Sequence, residues 1–456
     1  MNSEQNERSR RRFLKKGAAL AGFAVGGGVI RSASGQTLGS ETAAVRPKDN
    51  RGYGERSRFE KAARWPLVGD WAKPETVYAQ SRTPLQDLEG MVTPSGLHFY
   101  IDASAPFPLP DIDPQTHRFL IHGMVDRPLI LTVAELKLLP SVSRFHFLQC
   151  VVGTTRERNH LEFHETAQMT YGSSSCSEWT GVLLSLLLQE AGVQRGARYI
   201  ISEGAERARR SYSFPLEKAL DDVIVAYAQN GEALRPEQGY PVRLVVPGWQ
   251  GHFSTKWLRR IKVVDRPHMA KDDLGFLRGP DGKWMGEREF DPKSIITFPS
   301  GGQRLSGPGF YEIRGLAWTG AGVIRRVEVT TDGGRTWKDA QLQEPVLSKA
   351  HTRFRFPWNW NGEECVIESR CTDEAGRTQA LLSEVRNQWG DNPDNWRSSE
   401  SPGERFSATQ PWKITPDGSV HQAAFGPHMT PPPAPGTAAA APLNLNPGWK
   451  DESCFS

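Results

Sequence analysis

At 456 residues the chain is long enough for two or three domains, and 38% apolar with 24% charged residues is the composition of an ordinary folded protein. The formal net charge of +4 is concentrated at the front: residues 1–35 hold seven of the 56 Lys and Arg but two of the 52 Asp and Glu, leaving 49 basic and 50 acidic residues elsewhere. Nothing in so neutral a body argues for nucleic acid, and none is expected as a partner.

Ser9-Arg-Arg-Arg-Phe-Leu-Lys15, followed by an apolar Gly/Ala-rich run from Gly17 to Ile30, reads as a twin-arginine export signal over residues 1–35. The run, about 14 residues, is too short to span a bilayer. A periplasmic location with no integral membrane segment in the mature protein is therefore expected. Residues 36–80 are polar and irregular and read as an extended arm over the surface of the first domain.

From Arg118 the pattern becomes orderly. It predicts a strand from Phe119, a short helix capped by Thr132, a strand over 144–150, a helix over 181–192 closed by Gly192, and strands beginning at Tyr199, Val223 and Val242. This is mixed α+β, a first domain over residues 81–270. A second, over 293–395, shows short alternating stretches at Tyr311–Trp318, Arg326–Thr330, Thr352–Phe356 and Cys365–Cys371. Asp332-Gly-Gly334 marks a hairpin, and the spacing predicts a β-sandwich. Residues 396–456, rich in Pro, Ala, Gly and Ser, are expected to be a largely disordered tail.

Five cysteines, at 150, 176, 365, 371 and 454, form no disulfide framework and no Cys-x-x-Cys zinc pattern, and no Cys-x-x-Cys-His haem motif occurs. Cys365 and Cys371 are spaced to share one strand face and are expected in the core. Cys150 is different. Phe145, Phe147 and Gln149 alternate with His146, Leu148 and Cys150, and Gly153 breaks the pattern, so Cys150 stands where a strand ends and a loop begins. A thiol there is a nucleophile, a soft metal ligand or a small buried hydrophobe, and these residues alone leave the choice open. A zinc site from His146, Cys150, His164 and Cys176 is a further reading, though its spacing matches no usual zinc pattern.

Further motifs surround that strand: Asp111-Ile-Asp-Pro114, Ile121-His-Gly-Met-Val-Asp-Arg-Pro128, Cys176-Ser-Glu-Trp-Thr-Gly-Val182, Tyr227 to Pro236, Gly239 to Gly248 and Lys256-Trp-Leu-Arg-Arg260. In this order they resemble the sulfite oxidase family of molybdenum enzymes, and within it the sulfane dehydrogenase branch of bacterial sulfur oxidation. The resemblance implies a molybdopterin-binding domain followed by an immunoglobulin-like dimerisation domain, hence a homodimer. It implies Mo-molybdopterin as cofactor, with Cys150 as the protein ligand to molybdenum. It also implies Arg243 and Lys256 as charge partners of the cofactor and Ser254 and Thr255 on the loop leading to them. Gln238 stands where vertebrate-type members have His, and Glu206 near a position filled by Asp. Arg386 matches an Arg that the second domain contributes to the anion pocket.

The implied activity is oxidation of a sulfur centre, sulfane sulfur or sulfite, with electrons leaving to a separate c-type cytochrome because this chain has no haem motif. Twin-arginine export, which moves folded proteins, agrees with a cofactor inserted beforehand. The chain departs from the family pattern on the substrate side. Ile101 replaces an Arg, Thr154 and Thr155 stand where a basic residue is expected with Arg156 displaced by one, and Phe276 replaces a Tyr. A catalytically weak or inactive paralogue serving as a cofactor-bearing binding subunit is the alternative that these departures raise.

Overall fold

A computed structural model of the chain describes residues 56–68, 80–101, 109–150, 166–207, 209–267, 289–389 and 407–423. The export signal and most of the arm lie outside the described residues, as do Thr154, Thr155, Arg156, His164, Phe276 and most of the tail.

Two sheets build the first domain. One orders Glu232–Ala233, Ile224–Gln229, Ser174–Leu183 and Val142–Gln149, with Arg243–Val245 also paired to Ile224–Gln229. The other orders Leu129–Thr132, Arg118–Gly123, Leu258–Val264, Tyr199–Gly204 and Ser211–Pro215, and its Arg118–Gly123 strand runs parallel to Leu258–Val264. Phe119 and Ile121 alternate inward and pack with Leu187, Leu188, Ile261 and Val263. Thr132 caps the helix Val133–Leu136 in a reciprocal capping box with Glu135.

The helix expected over 181–192 is shorter. Gly181 to Leu183 finish the strand Ser174–Leu183, and the helix is Leu184–Ala191, closed by Gly192 at φ 70°. The reason is tertiary. A Cβ at Gly181 would sit 2.2 Å from the carbonyl oxygen of Val225, so the glycine serves close strand pairing that a leucine-rich helical pattern conceals.

The second domain is a sandwich of two antiparallel sheets. Lys293–Phe298, Gly309–Trp318, Thr352–Trp360 and Gln341–Leu342 form one; Lys338–Asp339, Ile324–Thr330, Cys365–Asp373, Trp412–Ile414 and Val420–Gln422 form the other. Ile296, Ile313 and Phe354 from the first meet Val327, Ile367 and Trp412 from the second. The Asp332 hairpin is present, with Gly333 and Gly334 at φ 73° and 88°. Cys371 is buried and Cys365 half-buried on the same strand.

Two expectations need correction. Trp412–Ile414 and Val420–Gln422 extend the sandwich from within the expected disordered tail, with Trp412 fully buried and Val420 nearly so. Each strand has three residues, too few for alternation to stand out against a Pro- and Ala-rich background. The arm is not wholly irregular either: Trp65–Val68 pairs with Gln80–Arg82, and Arg64 meets Glu237 at 3.1 Å. Among the described residues no helix is long and apolar enough to cross a membrane.

The domains are not loosely strung. Phe147, Tyr171 and Cys176 of the first share a core with Phe290, Ile295, Leu316, Trp318 and Ala350 of the second. Asp222 accepts Lys218 at 2.6 Å and Lys349, from the second domain, at 2.7 Å. Burial alone would raise this carboxyl, but the two ammonium groups outweigh it and hold Asp222 below the usual carboxylate range.

Among the buried histidines of the described residues, three carry the largest shifts and give the fold a pH dependence. Burial pushes His98 and His351 down to about 3 and His146 to about 4. Unfolding frees each to bind a proton at its ordinary value near 6.5, so between that pH and the folded value the unfolded state holds more protons. Their contribution to stability is complete above pH ~6.5 and is lost as the pH falls toward the folded values, on the order of 1 kcal/mol per pH unit for each. Urea unfolding from pH 7 to pH 5 should show falling stability, before ordinary carboxylates titrate. A flat profile would contradict the neutral burial of these rings.

Candidate cofactor site

The strand Val142–Gln149 delivers Cys150 as the first residue beyond its end. The Cys150 amide donates to the carbonyl of Ser173 at 3.0 Å, which carries the ladder one step past the strand. Its half-buried side chain packs with Ile101 and Tyr240 against Phe99, Leu148, Trp179, Ile224 and Val245. Gly251 closes the other side. A Cβ there would lie 2.6 Å from the carbonyl oxygen of Gln149 and 3.5 Å from Cα of Cys150, so only glycine lets the 247–256 loop pass so close to the backbone that ends the strand.

Arg243 opens a three-residue strand held by Ala226, and only 3% of it is exposed. Its Nε donates to the Leu244 carbonyl at 3.2 Å, Nη1 to the Gln238 carbonyl at 2.9 Å and Oε1 at 3.3 Å, and Nη2 to the Ser254 carbonyl at 3.0 Å. The guanidinium stands 5.0 Å from the ring centroid of Trp179. Every partner is neutral, and among the described residues no carboxylate pairs with it. Burial pushes its pKa down to about 9, so the group still carries its charge at neutral pH. A buried cation without a counter-ion is costly, and an anionic ligand removes that cost.

The other expected residues gather around it. Gln238 donates to the Phe99 carbonyl at 2.9 Å. Lys256 donates to the carbonyls of Ile101 at 3.3 Å and Glu237 at 3.1 Å, with its ammonium between the rings of Tyr100 and Trp257 at 4.5 and 4.6 Å. Glu206 folds back over Gly204, where a Cβ would meet its Oε2 at 1.9 Å and the Lys256 carbonyl at 3.0 Å. Ser254 and Thr255 point inward. The Ser254 hydroxyl accepts from the Val246 amide at 3.0 Å, and the Thr255 hydroxyl pairs with Ser202 at 2.7 Å, so both fix the loop.

Cys150, Gln238, Arg243, Ser254, Thr255, Lys256 and Glu206 thus come together, joined by Ile101. Arg386 lies on the helix Leu382–Trp389, and its side chain is outside the described residues. The zinc reading fails. Cys176 is directly opposite Phe147 in the ladder and so shares its sheet face, whereas His146 and Cys150 occupy the other. Cys176 is also fully buried, with its thiol pushed up to about 12 by desolvation. No cluster of three or more potential metal ligands occurs among the described residues.

Sequence reasoning missed His98. Its ring is 1% exposed, bonds the Phe99 carbonyl through Nδ1 at 3.0 Å and lies edge-on to Trp179 at 5.8 Å. Its Nε2 is buried without a partner among the described residues. Its place three residues before Ile101, where the resemblance implies an Arg, was the available signal.

A buried guanidinium with no described counter-ion, a lysine beside it and a half-buried thiol at a fixed strand end suit a large anionic cofactor with a soft metal centre. Comparison with known proteins agrees. The chain matches the oxidoreductase molybdopterin binding domain over residues 106–271 and the Mo-co oxidoreductase dimerisation domain over 286–389. It is similar to the solved sulfane dehydrogenase SoxCD of Paracoccus pantotrophus, with a TM-score of 0.74 and 33% identity, covering 84% of this chain and 96% of that one. Among curated proteins it is 28% identical over 346 residues to an NADH nitrate reductase of Ulva prolifera and 33% identical over 343 to that of Volvox carteri. Each alignment takes in 64% of this chain but 38% of the nitrate reductase, so the chain spans under half of those proteins.

Replacing the buried cation tests the fit. Arg243→Met should fold, since apolar volume replaces an uncompensated charge, yet retain at least about tenfold less molybdopterin, as losing one buried charge-assisted contact implies. Molybdenum and pterin content of the purified variant measure this. Cofactor content equal to that of the unaltered protein would contradict the assignment of Arg243.

Proposed function

We propose, because this chain belongs to the sulfite oxidase family of molybdopterin oxidoreductases, that it oxidises a sulfur centre in the periplasm and passes the electrons to a separate c-type cytochrome. When bound, Mo-molybdopterin supplies the oxygen-atom transfer and takes up the two electrons. The chain's own residues do the rest. Arg243 and Lys256 neutralise and orient the anionic cofactor, Gln238 and the Ser254–Thr255 loop fix their positions, and Cys150 presents a thiolate to the metal from a strand end. The second domain is proposed to pair two copies of the chain, and Arg386 to face the anionic part of the substrate.

The observation that carries the sulfur reading is coverage: SoxCD is matched along 96% of its chain, the nitrate reductases along 38%. The choice among sulfur substrates rests on Ile101. Its apolar side chain packs in the same group as Cys150, where the family pattern implies an Arg. Phe276 likewise replaces an expected hydroxyl. A small dianion such as sulfite needs charge-assisted hydrogen bonds close to the metal, each worth about 2 kcal/mol. Losing two weakens turnover by roughly a thousandfold. Sulfane sulfur on a carrier, with less charge to neutralise, is the favoured substrate. The same apolar Ile101 favours a second reading, a weakly active paralogue that binds the cofactor.

Dye-linked assays on molybdenum-loaded protein decide among these. Carrier-bound sulfane sulfur should be oxidised well and sulfite poorly, and Ile101→Arg with Phe276→Tyr should raise sulfite turnover. Robust sulfite oxidation by the unaltered protein would contradict the pocket assignment, nitrate reduction would contradict the sulfur reading, and a loaded protein inert toward all three would support the paralogue.

A further inference from the structure

We infer that Trp318 and His351, both from the second domain, are positioning residues for the Cys150 thiol. The consequence for turnover rests on the molybdenum-ligand role proposed above. The clamp itself is a matter of geometry.

Gln149, the last residue of the thiol strand, is fully buried, and its Oε1 accepts a hydrogen bond at 2.9 Å from the indole Nε1 of Trp318, which is also fully buried. Ser174 stands opposite Gln149 in the ladder, and its hydroxyl shares a hydrogen bond of 2.9 Å with Nε2 of His351. The two clamping rings touch each other, with centroids 4.9 Å apart, and His351 stacks on Phe147 of the thiol strand at 6.2 Å. Both sides of the last rung are therefore held by one pair of side chains from the sandwich. Cys150 follows that rung directly, and its amide bonds Ser173, the neighbour of Ser174.

Strand ends open more readily than strand centres, because one neighbour in the ladder is missing. Here the end that must fix the thiol is secured by another domain. Gly251 leaves only backbone-to-backbone room on the loop side, so a strand end released by Trp318 would have no side chain of that loop residue to hold it. Direction is what a metal ligand needs most, since small displacements of a ligand set weaken the centre it holds.

The test uses the full chain, made in cells that cannot synthesise the pterin, with iodoacetamide as probe and mass spectrometry to read labelling at Cys150. Trp318→Phe keeps an aromatic ring, smaller than the indole, and removes the N–H, and it should speed Cys150 labelling roughly fivefold, the effect of one buried hydrogen bond. Gln149→Met should do the same, and the double variant should add nothing further. Trp412→Phe is the control: that indole is fully buried in the same domain, and its Nε1 has no partner among the described residues. It should leave Cys150 labelling unchanged.

In cofactor-loaded protein, Trp318→Phe should shift the thiolate-to-molybdenum absorption band. Unchanged labelling in Trp318→Phe and Gln149→Met, or an equal rise in Trp412→Phe, would overturn the inference. If Trp318→Phe fails to fold, Gln149→Met decides alone. Faster labelling in a protein that never takes up molybdenum would leave the clamp standing and sink the proposed function. A molybdenum–Cys150 bond with labelling unmoved would do the reverse.

Discussion

A guanidinium 3% exposed to water and bonded only to neutral oxygens is the constraint around which the first domain is arranged. Arg243 cannot be hydrated where it is, and no described carboxylate neutralises it. Its carbonyl partners come from Leu244, Gln238 and Ser254, so the strand, the short turn at Pro236–Gln238 and the loop before Lys256 converge on one cation. Such convergence is sustained when an anion completes it. Gln238 in turn holds the Phe99 carbonyl, and Lys256 holds that of Ile101, which carries the segment from 98 to 101 to the same place.

The second domain has a role beyond the pairing proposed for it. Its Phe290, Leu316 and Trp318 share a core with Phe147 and Tyr171, Lys349 shares Asp222 with Lys218, and Trp318 grips the residue before Cys150. Removing it would strip apolar cover from the strand that presents the thiol, so the two domains form one structural unit around the site. That arrangement suits the proposed role of Cys150, since a metal ligand must keep one direction.

Much of this was legible in the sequence wherever the physics is local. The alternation before Cys150, the capping box at Thr132 and Glu135 and the Asp332-Gly-Gly334 hairpin depend on residues a few positions apart. The residues proposed to hold the cofactor were not legible from spacing. They came from family resemblance, which said where Arg243 and Lys256 belong but not that Arg243 is buried with no described counter-ion. Trp318 and His351 reach Gln149 and Ser174 across 169 and 177 residues, a distance at which no periodicity operates. Gly181 misled for a related reason: its role in strand pairing was hidden inside a run with a good helical pattern.

Cys150 is proposed as the protein's own ligand to molybdenum. X-ray absorption at the molybdenum edge, on the loaded protein and on Cys150→Ser, addresses it most directly, because sulfur and oxygen neighbours differ in distance and scattering. One sulfur ligand fewer is predicted in Cys150→Ser, with the pterin sulfurs retained. Identical sulfur coordination in the two proteins would contradict it.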